Sequence, residues 1–206
     1  ETEEDLARIA VKNHNNAVGN PYAQWKRKIS IDDVLNSRLI SWPFKILDCA
    51  LISDGAAALI LASEEKARRL SKTPIWITGV GLSSDTMRPG DRVDNPAWQG
   101  MYPEAEKRYP DAVTRPLTPY PEMSNFAAVK KSAEVGYKMA GIKEPRKEID
   151  LVELLGPYTS TELALYEDLY LCDQGEGKGL VRSGAVEVGG DIPVNLSGGI
   201  MGLGHP

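Results

Sequence analysis

Two apolar runs that show no alternation constrain this chain more than any other feature. Ala56 to Ala62 reads AAALILA, and Pro74 to Ser84 reads PIWITGVGLSS, rich in β-branched residues. A continuous apolar run of strand length predicts a strand buried on both faces. Glu64 to Leu70 lies between the two runs and predicts a short helix. Farther on, Phe126 to Ala140 predicts a helix with an apolar face of Phe126, Val129, Ala133, Tyr137 and Ala140, ended by Gly141. IDLVELLG then predicts a strand, STELALYEDL a helix with Ser160 or Thr161 as N-cap, and PVNLSGG a last strand. Asp173 to Gly179 reads as a glycine-rich loop. Strands alternating with helices imply an α/β fold with a largely parallel sheet, whose sites lie at the strand ends.

The start of the chain is amphipathic. Leu6, Ile9, Ala10 and His14 fall on one helical face, acids fill the first turn where the helix dipole favours them, and Gly19-Asn20-Pro21 stops the helix. The text to Phe44 is irregular except for a short helix in SIDDVLNS, which Ser30 caps with Asp33 three residues on. Residues 85–121 are proline-rich, with Trp98, Tyr102, Tyr109 and Tyr120 among them, and little periodicity. A connection of that length inside a compact domain predicts a functional or interface-forming excursion.

Composition narrows the function. A net charge of -5 with scattered basic residues argues against nucleic acid as a partner, and Lys26-Arg27-Lys28 reads as a solvated turn. No stretch approaches the roughly 18 to 20 apolar residues that span a bilayer. The acidic N-terminus is not that of a signal peptide. Cys49 and Cys172 stand far apart and outside any CxxC spacing, which favours reduced thiols in a cytoplasmic protein. No metal-ligand spacing, P-loop or dinucleotide fingerprint is present.

His205 is the leading chemical candidate. It follows Gly202-Leu203-Gly204, whose glycines leave room for close approach by backbone or ligand, and Pro206 restricts it to extended geometry. From the residues alone, a turn histidine and a site base both remain open. His14 reads as a structural or surface histidine, and Cys49 as a small buried hydrophobe rather than a nucleophile. Glu153 is open between a strand-end site acid and a paired polar residue.

Several stretches together resemble the thiolase superfamily, in particular the sterol-carrier-protein-x-type and archaeal acetyl-CoA acetyltransferases. They are VKNHNNAVGNPYAQ, ISIDDVLNS, LDCALISDGAAALILAS, STELALYEDLYLCDQGEG and NLSGGIMGLGHP, in family order along nearly the whole chain. The resemblance implies a thiolase-like five-layer α-β-α-β-α sandwich, incomplete in this chain. Residues 1–70 would be the end of the N-terminal half. Residues 71–206 would be most of the C-terminal half, with the proline-rich insertion at about 85–121 near the substrate entrance.

The resemblance also implies an acyl-CoA C-acyltransferase that makes or cleaves a β-ketoacyl-CoA, with coenzyme A as substrate or product and no metal. In that chemistry a cysteine thiolate attacks the acyl-CoA and a histidine takes its proton. The same imidazole then donates to the thioester oxygen. His205 matches that histidine. On this scheme the nucleophile lies before Glu1 and a second cysteine after Pro206. Implied partners are acyl-CoA, a further copy of the chain in a homodimer or higher oligomer, and a small zinc-ribbon/OB-fold acyl-CoA-binding subunit. The rival expectation is a non-catalytic subunit that binds acyl-CoA or scaffolds a partner.

One stretch departs from the family pattern. Where relatives place a polar His or Asn at the oxyanion hole, this chain has Leu155, followed by Gly156, Pro157 and Tyr158. Leucine cannot donate a hydrogen bond, and losing one oxyanion donor costs about 3 to 4 kcal/mol in other enzymes. Three accounts stand: Tyr158 or a water replaces the donor, the apolar residue admits a bulkier acyl group, or catalysis has been lost. The retention of His205, Gly199 and Gly204 favours the second. These seven positions, 155–158, 199, 204 and 205, form the expected substrate and oxyanion region.

Overall fold

The computed structural model describes residues 1–85 and 126–206 and is organised around its first helix, α1 (Glu3–Ala17). Thr2 caps it by a reciprocal exchange, its hydroxyl accepting the Asp5 N–H while the Asp5 carboxylate accepts the Thr2 N–H at 2.9 Å. Asp5 also receives two bonds from Arg182, at 2.7 and 2.8 Å, which hold its carboxyl down at about 2. Leu6, Ile9, Ala10 and His14 are buried as their spacing predicts, but so are Ala7, Lys12, Asn13 and Ala17. A helix so enclosed has neighbours on two sides. Leu6 and Ile9 join Leu163, Tyr166, Leu171, Val186, Ile192 and Val194 in one cluster, while Ala7 and Ala10 pack with Ile29, Val34 and Met201 in another.

The remaining elements surround α1. The second helix, α2 (Ile31–Leu35), carries the predicted Ser30–Asp33 capping box. A short antiparallel pair, β1 (Leu39–Ser41) and β2 (Phe44–Lys45), occupies sequence that shows no strand pattern. A 3-10 turn, Ile46–Asp48, stands where ILD reads as strand-like. Then come α3 (Glu64–Leu70), α4 (Ala127–Ala140), α5 (Pro145–Glu148), α6 (Thr159–Asp168), α7 (Gly177–Ser183) and α8 (Gly199–Leu203). Gly141 ends α4 at φ 78°, the left-handed cap expected of it.

Several expected elements differ. Residues 56–62 and 74–84 carry no strand ladder, and their large side chains face outward, with Ile60 94% and Ile75 91% exposed. Two-faced burial needs partners on both edges and both faces, and the described residues supply none for these runs. Gly79 and Gly81 instead approach α4, where an added Cβ would stand 2.3 Å from the Gly136 carbonyl oxygen and 1.8 Å from that of Ser132. The strands predicted in IDLVELLG and PVNLSGG reduce to one parallel bridge, Val152 with Val194. Helix α6 has Tyr158 at the N-cap position, two or three residues before the expected caps. The loop expected through Gly179 ends at a turn over residues 173–176, and Gly177 opens α7 with its N–H bonded to Glu167. The proline-rich stretch, apart from Asp85, lies outside the described residues.

His14 is enclosed in the core beside the edge of Trp25, 5.9 Å between ring centroids. Burial holds its imidazole below its ordinary value, and a backbone contact at Leu47 offsets only part of this. The folded state therefore favours neutral His14, and between the two values the unfolded chain binds more protons. This contribution to stability is complete above the unfolded value near 6.5 and is lost as pH falls through the lowered folded value. Denaturant unfolding at pH 7.5 and 5.5 should show the loss, and His14→Phe should flatten the difference.

Candidate functional site

The site is built on residues 49–53, which act as a central strand for two short neighbours. Ala50 donates its N–H to the Pro157 carbonyl at 2.8 Å, and Cys49 bridges Tyr158 in antiparallel sense. On the other side His205 donates its N–H to the Leu51 carbonyl at 2.6 Å, and its own carbonyl accepts the Ser53 N–H at 2.9 Å. Backbone groups of successive strand residues point to opposite edges. The bonds of Ala50 and those of Leu51 and Ser53 thus leave from opposite edges of one strand. Pro157–Tyr158 and His205 flank it, offset by three residues, or roughly 10 Å along the strand at about 3.3 Å per residue.

His205 is therefore fixed through its backbone while its half-buried imidazole makes no hydrogen bond to any described residue. An imidazole in that state is able to exchange a proton with a bound molecule. Gly156, Pro157 and Tyr158 come to the same strand, and the Tyr158 ring tilts against Phe44 at 6.0 Å. Leu155 projects outward, 62% exposed. Of the expected region, the structure gathers 156–158 and 205 around one strand, and places Gly199 at the start of α8 and Gly204 at its end, just before His205.

The glycines around the loop that leads to His205 allow close packing. A Cβ at Gly198 or Gly202 would stand 2.5 or 2.4 Å from the Ala17 Cβ at the end of α1. One at Gly204 would lie 2.4 Å from the Ser53 Cβ. Gly198, Gly199 and Gly204 also have φ of 93°, 54° and 100°, values that a side chain would strain. Short helix α8 is thereby pressed against α1, and Gln24 and Trp25 both donate their N–H to the Gly202 carbonyl.

Behind the loop lies a buried polar network that the sequence reading missed. Glu162 on α6 pairs with Lys12 on α1 at 2.7 Å, and both side chains are at most 1% exposed. The Glu162 carboxylate also accepts from Asn13 at 2.5 Å, Asn195 at 2.8 Å and the Tyr166 hydroxyl at 2.5 Å. Burial and this carboxylate raise the Tyr166 hydroxyl well above its ordinary value. Lys12 uses its other bonds on the Asn13 side-chain oxygen and the Val194 carbonyl, each at 2.7 Å. The available signal was Lys12-Asn13 inside an otherwise apolar helical face. Glu153, left open above, is a paired polar residue: its carboxylate accepts from the Ser197 N–H and hydroxyl at 2.8 and 2.6 Å.

Neither cysteine is poised as a thiolate. Burial and the adjacent Asp48 carboxylate push the Cys49 thiol up, and burial foremost pushes Cys172 up to about 12. Among the described residues no three His, Cys, Asp or Glu side chains group as metal ligands. No helix among them is long and apolar enough to cross a membrane.

Residues 113–206 match the family described as thiolase C-terminal domain-like. The whole chain aligns with an acetyl-CoA acetyltransferase of Methanothermobacter thermautotrophicus at 35% identity, covering 46% of that protein. It aligns equally with the benzoylsuccinyl-CoA thiolase subunit BbsB of Thauera aromatica, at 33% identity and 46% coverage. The sterol carrier protein 2 of Oryctolagus cuniculus matches 98% of the chain at 33% identity, over 32% of its own length. Among solved structures, an Ltp2-ChsH2(DUF35) aldolase superposes on 98% of this chain and 46% of its own, with a TM-score of 0.77 and 29% identity. The chain thus spans under half the length of each of these relatives, and the thiolase-like α/β fold expected from its motifs is the fold it has in part.

Gly202 lies inside α8 without a left-handed φ, so Gly202→Ala tests the packing alone. It should lower unfolding stability by about 1–3 kcal/mol through overpacking. Adding Ala17→Gly removes the colliding methyl group and should recover part of that loss, as read from paired denaturant curves.

Proposed function

We propose, for a chain that belongs to the thiolase superfamily, that its protein makes or breaks the bond between the α and β carbons of an acyl-CoA, with His205 as the proton-transferring group. The observation that carries this reading is the double backbone anchoring of His205 on residues 49–53, beside Pro157–Tyr158, with its imidazole left unpaired among the described residues. Residues 1–70 and 71–206 would belong to the two halves of the fold, and the match at 113–206 supports the second.

In the thiolytic form, a cysteine thiolate outside this sequence attacks the β-carbonyl of a β-ketoacyl-CoA. The Cα–Cβ bond breaks, the acyl group stays on sulfur, and the released acyl-CoA enolate takes a proton. Coenzyme A then removes the acyl group. His205 takes the thiol proton at the outset and afterwards donates to the developing oxyanion. The raised thiols of Cys49 and Cys172 support a nucleophile other than these two. Leu155, exposed at the strand end where a donor is expected, supports a bulky acyl group lying over an apolar contact.

A second reading, cleavage of a β-hydroxyacyl-CoA, has its own support. A retro-aldol step needs a base for the hydroxyl proton and donors for the enolate oxygen, but no thiolate. The structural neighbour named an aldolase is similar over nearly the whole chain. The name of that neighbour joins two components, which supports a second protein as partner. The two unpaired cysteines support a reducing, cytoplasmic setting.

Turnover of β-ketoacyl-CoA plus CoA and of β-hydroxyacyl-CoA separates the two readings. In whichever assay is positive, His205→Ala should reduce kcat by about 10²- to 10⁴-fold. An unchanged rate would remove His205 from the chemistry, and no turnover in either assay would favour a non-catalytic acyl-CoA-binding subunit. Leu155→His should move the preferred substrate toward shorter acyl chains, measured as the ratio of kcat/KM values across a chain-length series.

A further inference from the structure

Asn195 stands between the segment that leads to Leu155–Tyr158 and the turn that leads to His205, in a conformation unusual for a side-chain-bearing residue. Its φ is 55°, left-handed, and it is 1% exposed. Asparagine tolerates this region better than most residues, but a buried carboxamide must find partners for both its ends. It does. The side-chain oxygen accepts the Leu154 N–H at 2.9 Å, and the side-chain nitrogen donates to Glu162 at 2.8 Å. The backbone N–H donates to the Val152 carbonyl at 2.8 Å, and the carbonyl accepts from Asn16 at 3.1 Å.

These four bonds reach both flanks of the candidate site. Leu154 is next to Leu155 and leads into Gly156–Tyr158, on one edge of residues 49–53. Asn195 itself begins the turn into Gly198, α8 and His205, on the other edge. Glu162, which orients the carboxamide nitrogen, is fixed in turn by Lys12 and Asn13. We propose that Asn195, oriented by the buried Glu162–Lys12 pair, is the positioning residue that sets the spacing between the strand end at Leu155–Tyr158 and the loop bearing His205.

The proposal rests on the acyl-CoA reading for its kinetic consequence but not for its structural one. Two variants test it in the protein. Asn195→Gly accepts the φ of 55° and removes only the carboxamide. Asn195→Asp keeps an acceptor for the Leu154 N–H but sets a second carboxyl against Glu162. The ionisable groups facing that position are Glu162, Lys12 and Tyr166, with Glu187 beyond them; two carboxylates beside one ammonium hold a proton between them.

Asn195→Gly should speed hydrogen exchange at the Leu154 and His205 amides at least tenfold, while the Ile9 and Tyr166 amides stay protected. Its kcat should fall about 10- to 100-fold with KM within about threefold of the parent, the signature of misplaced rather than missing groups. For Asn195→Asp, the ratio of its kcat to the parent's should approach one in acid, where the shared proton restores the bridge to Glu162, and decline as pH rises. Unchanged exchange at Leu154 and His205 in Asn195→Gly would overturn the proposal, as would a pH-independent ratio for Asn195→Asp. If the parent turns over no acyl-CoA, the acyl-CoA reading fails while the exchange result still decides the role of Asn195. Should Asn195→Gly lose protection throughout, protection of the Leu154 and His205 amides in Asn195→Asp, taken relative to the parent at each pH, decides instead: equal to the parent's in acid and lower at high pH if the proposal holds, and unchanged in that ratio across the range if it does not.

Discussion

The buried carboxylate of Glu162 is the interaction on which the rest of this structure depends. It is enclosed without solvent and meets one ammonium, two carboxamides and one hydroxyl drawn from α1, α6 and the turn at Asn195. A carboxylate taken out of water is costly unless its lone pairs are satisfied, and removing one partner of such a pair typically costs about 3–5 kcal/mol. That penalty makes the arrangement of α1, α6 and the Asn195 turn close to all-or-none. Apolar packing alone tolerates sliding, whereas a directional charge network of this kind admits one register.

From that register the candidate site follows. Lys12 holds the Val194 carbonyl, Asn195 holds Leu154, and Val194 pairs with Val152. The chain then turns through Gly198 and folds α8 against Ala17, where only glycine fits. His205 emerges from this packing with both backbone groups committed to residues 49–53. Its backbone is thus fixed while its imidazole makes no hydrogen bond to any described residue, an arrangement that would suit proton transfer at a bound substrate.

Much of this was legible in the sequence, and the failures have physical causes. Amphipathic spacing located α1 and α4, the Ser30–Asp33 box located α2, and Gly141 marked its helix end. The GHP motif with its preceding glycines identified the loop, and the close approach those glycines allow is that of Ala17 and Ser53. The apolar runs at 56–62 and 74–84 have strand composition, yet composition cannot supply the neighbours that turn an apolar segment into a buried strand. Lys12, Asn13 and Glu162 escaped notice because a polar residue on a helix reads as solvent-facing. Only tertiary pairing reveals that these three satisfy one another. Asn195 was hidden for the same reason, since an asparagine before Leu-Ser-Gly-Gly reads as ordinary turn chemistry.

Both chemical readings of the site pass through one species, the enolate of an acyl-CoA, whose oxygen His205 would stabilise. Exchange of the acyl-CoA α-hydrogens with deuterated water, followed by NMR across a series of saturated acyl-CoAs, measures formation of that enolate without requiring the C–C bond to break. The protein should catalyse the exchange, and His205→Ala should abolish it while leaving the fold intact. Exchange that persists undiminished in His205→Ala would contradict the role assigned to this histidine.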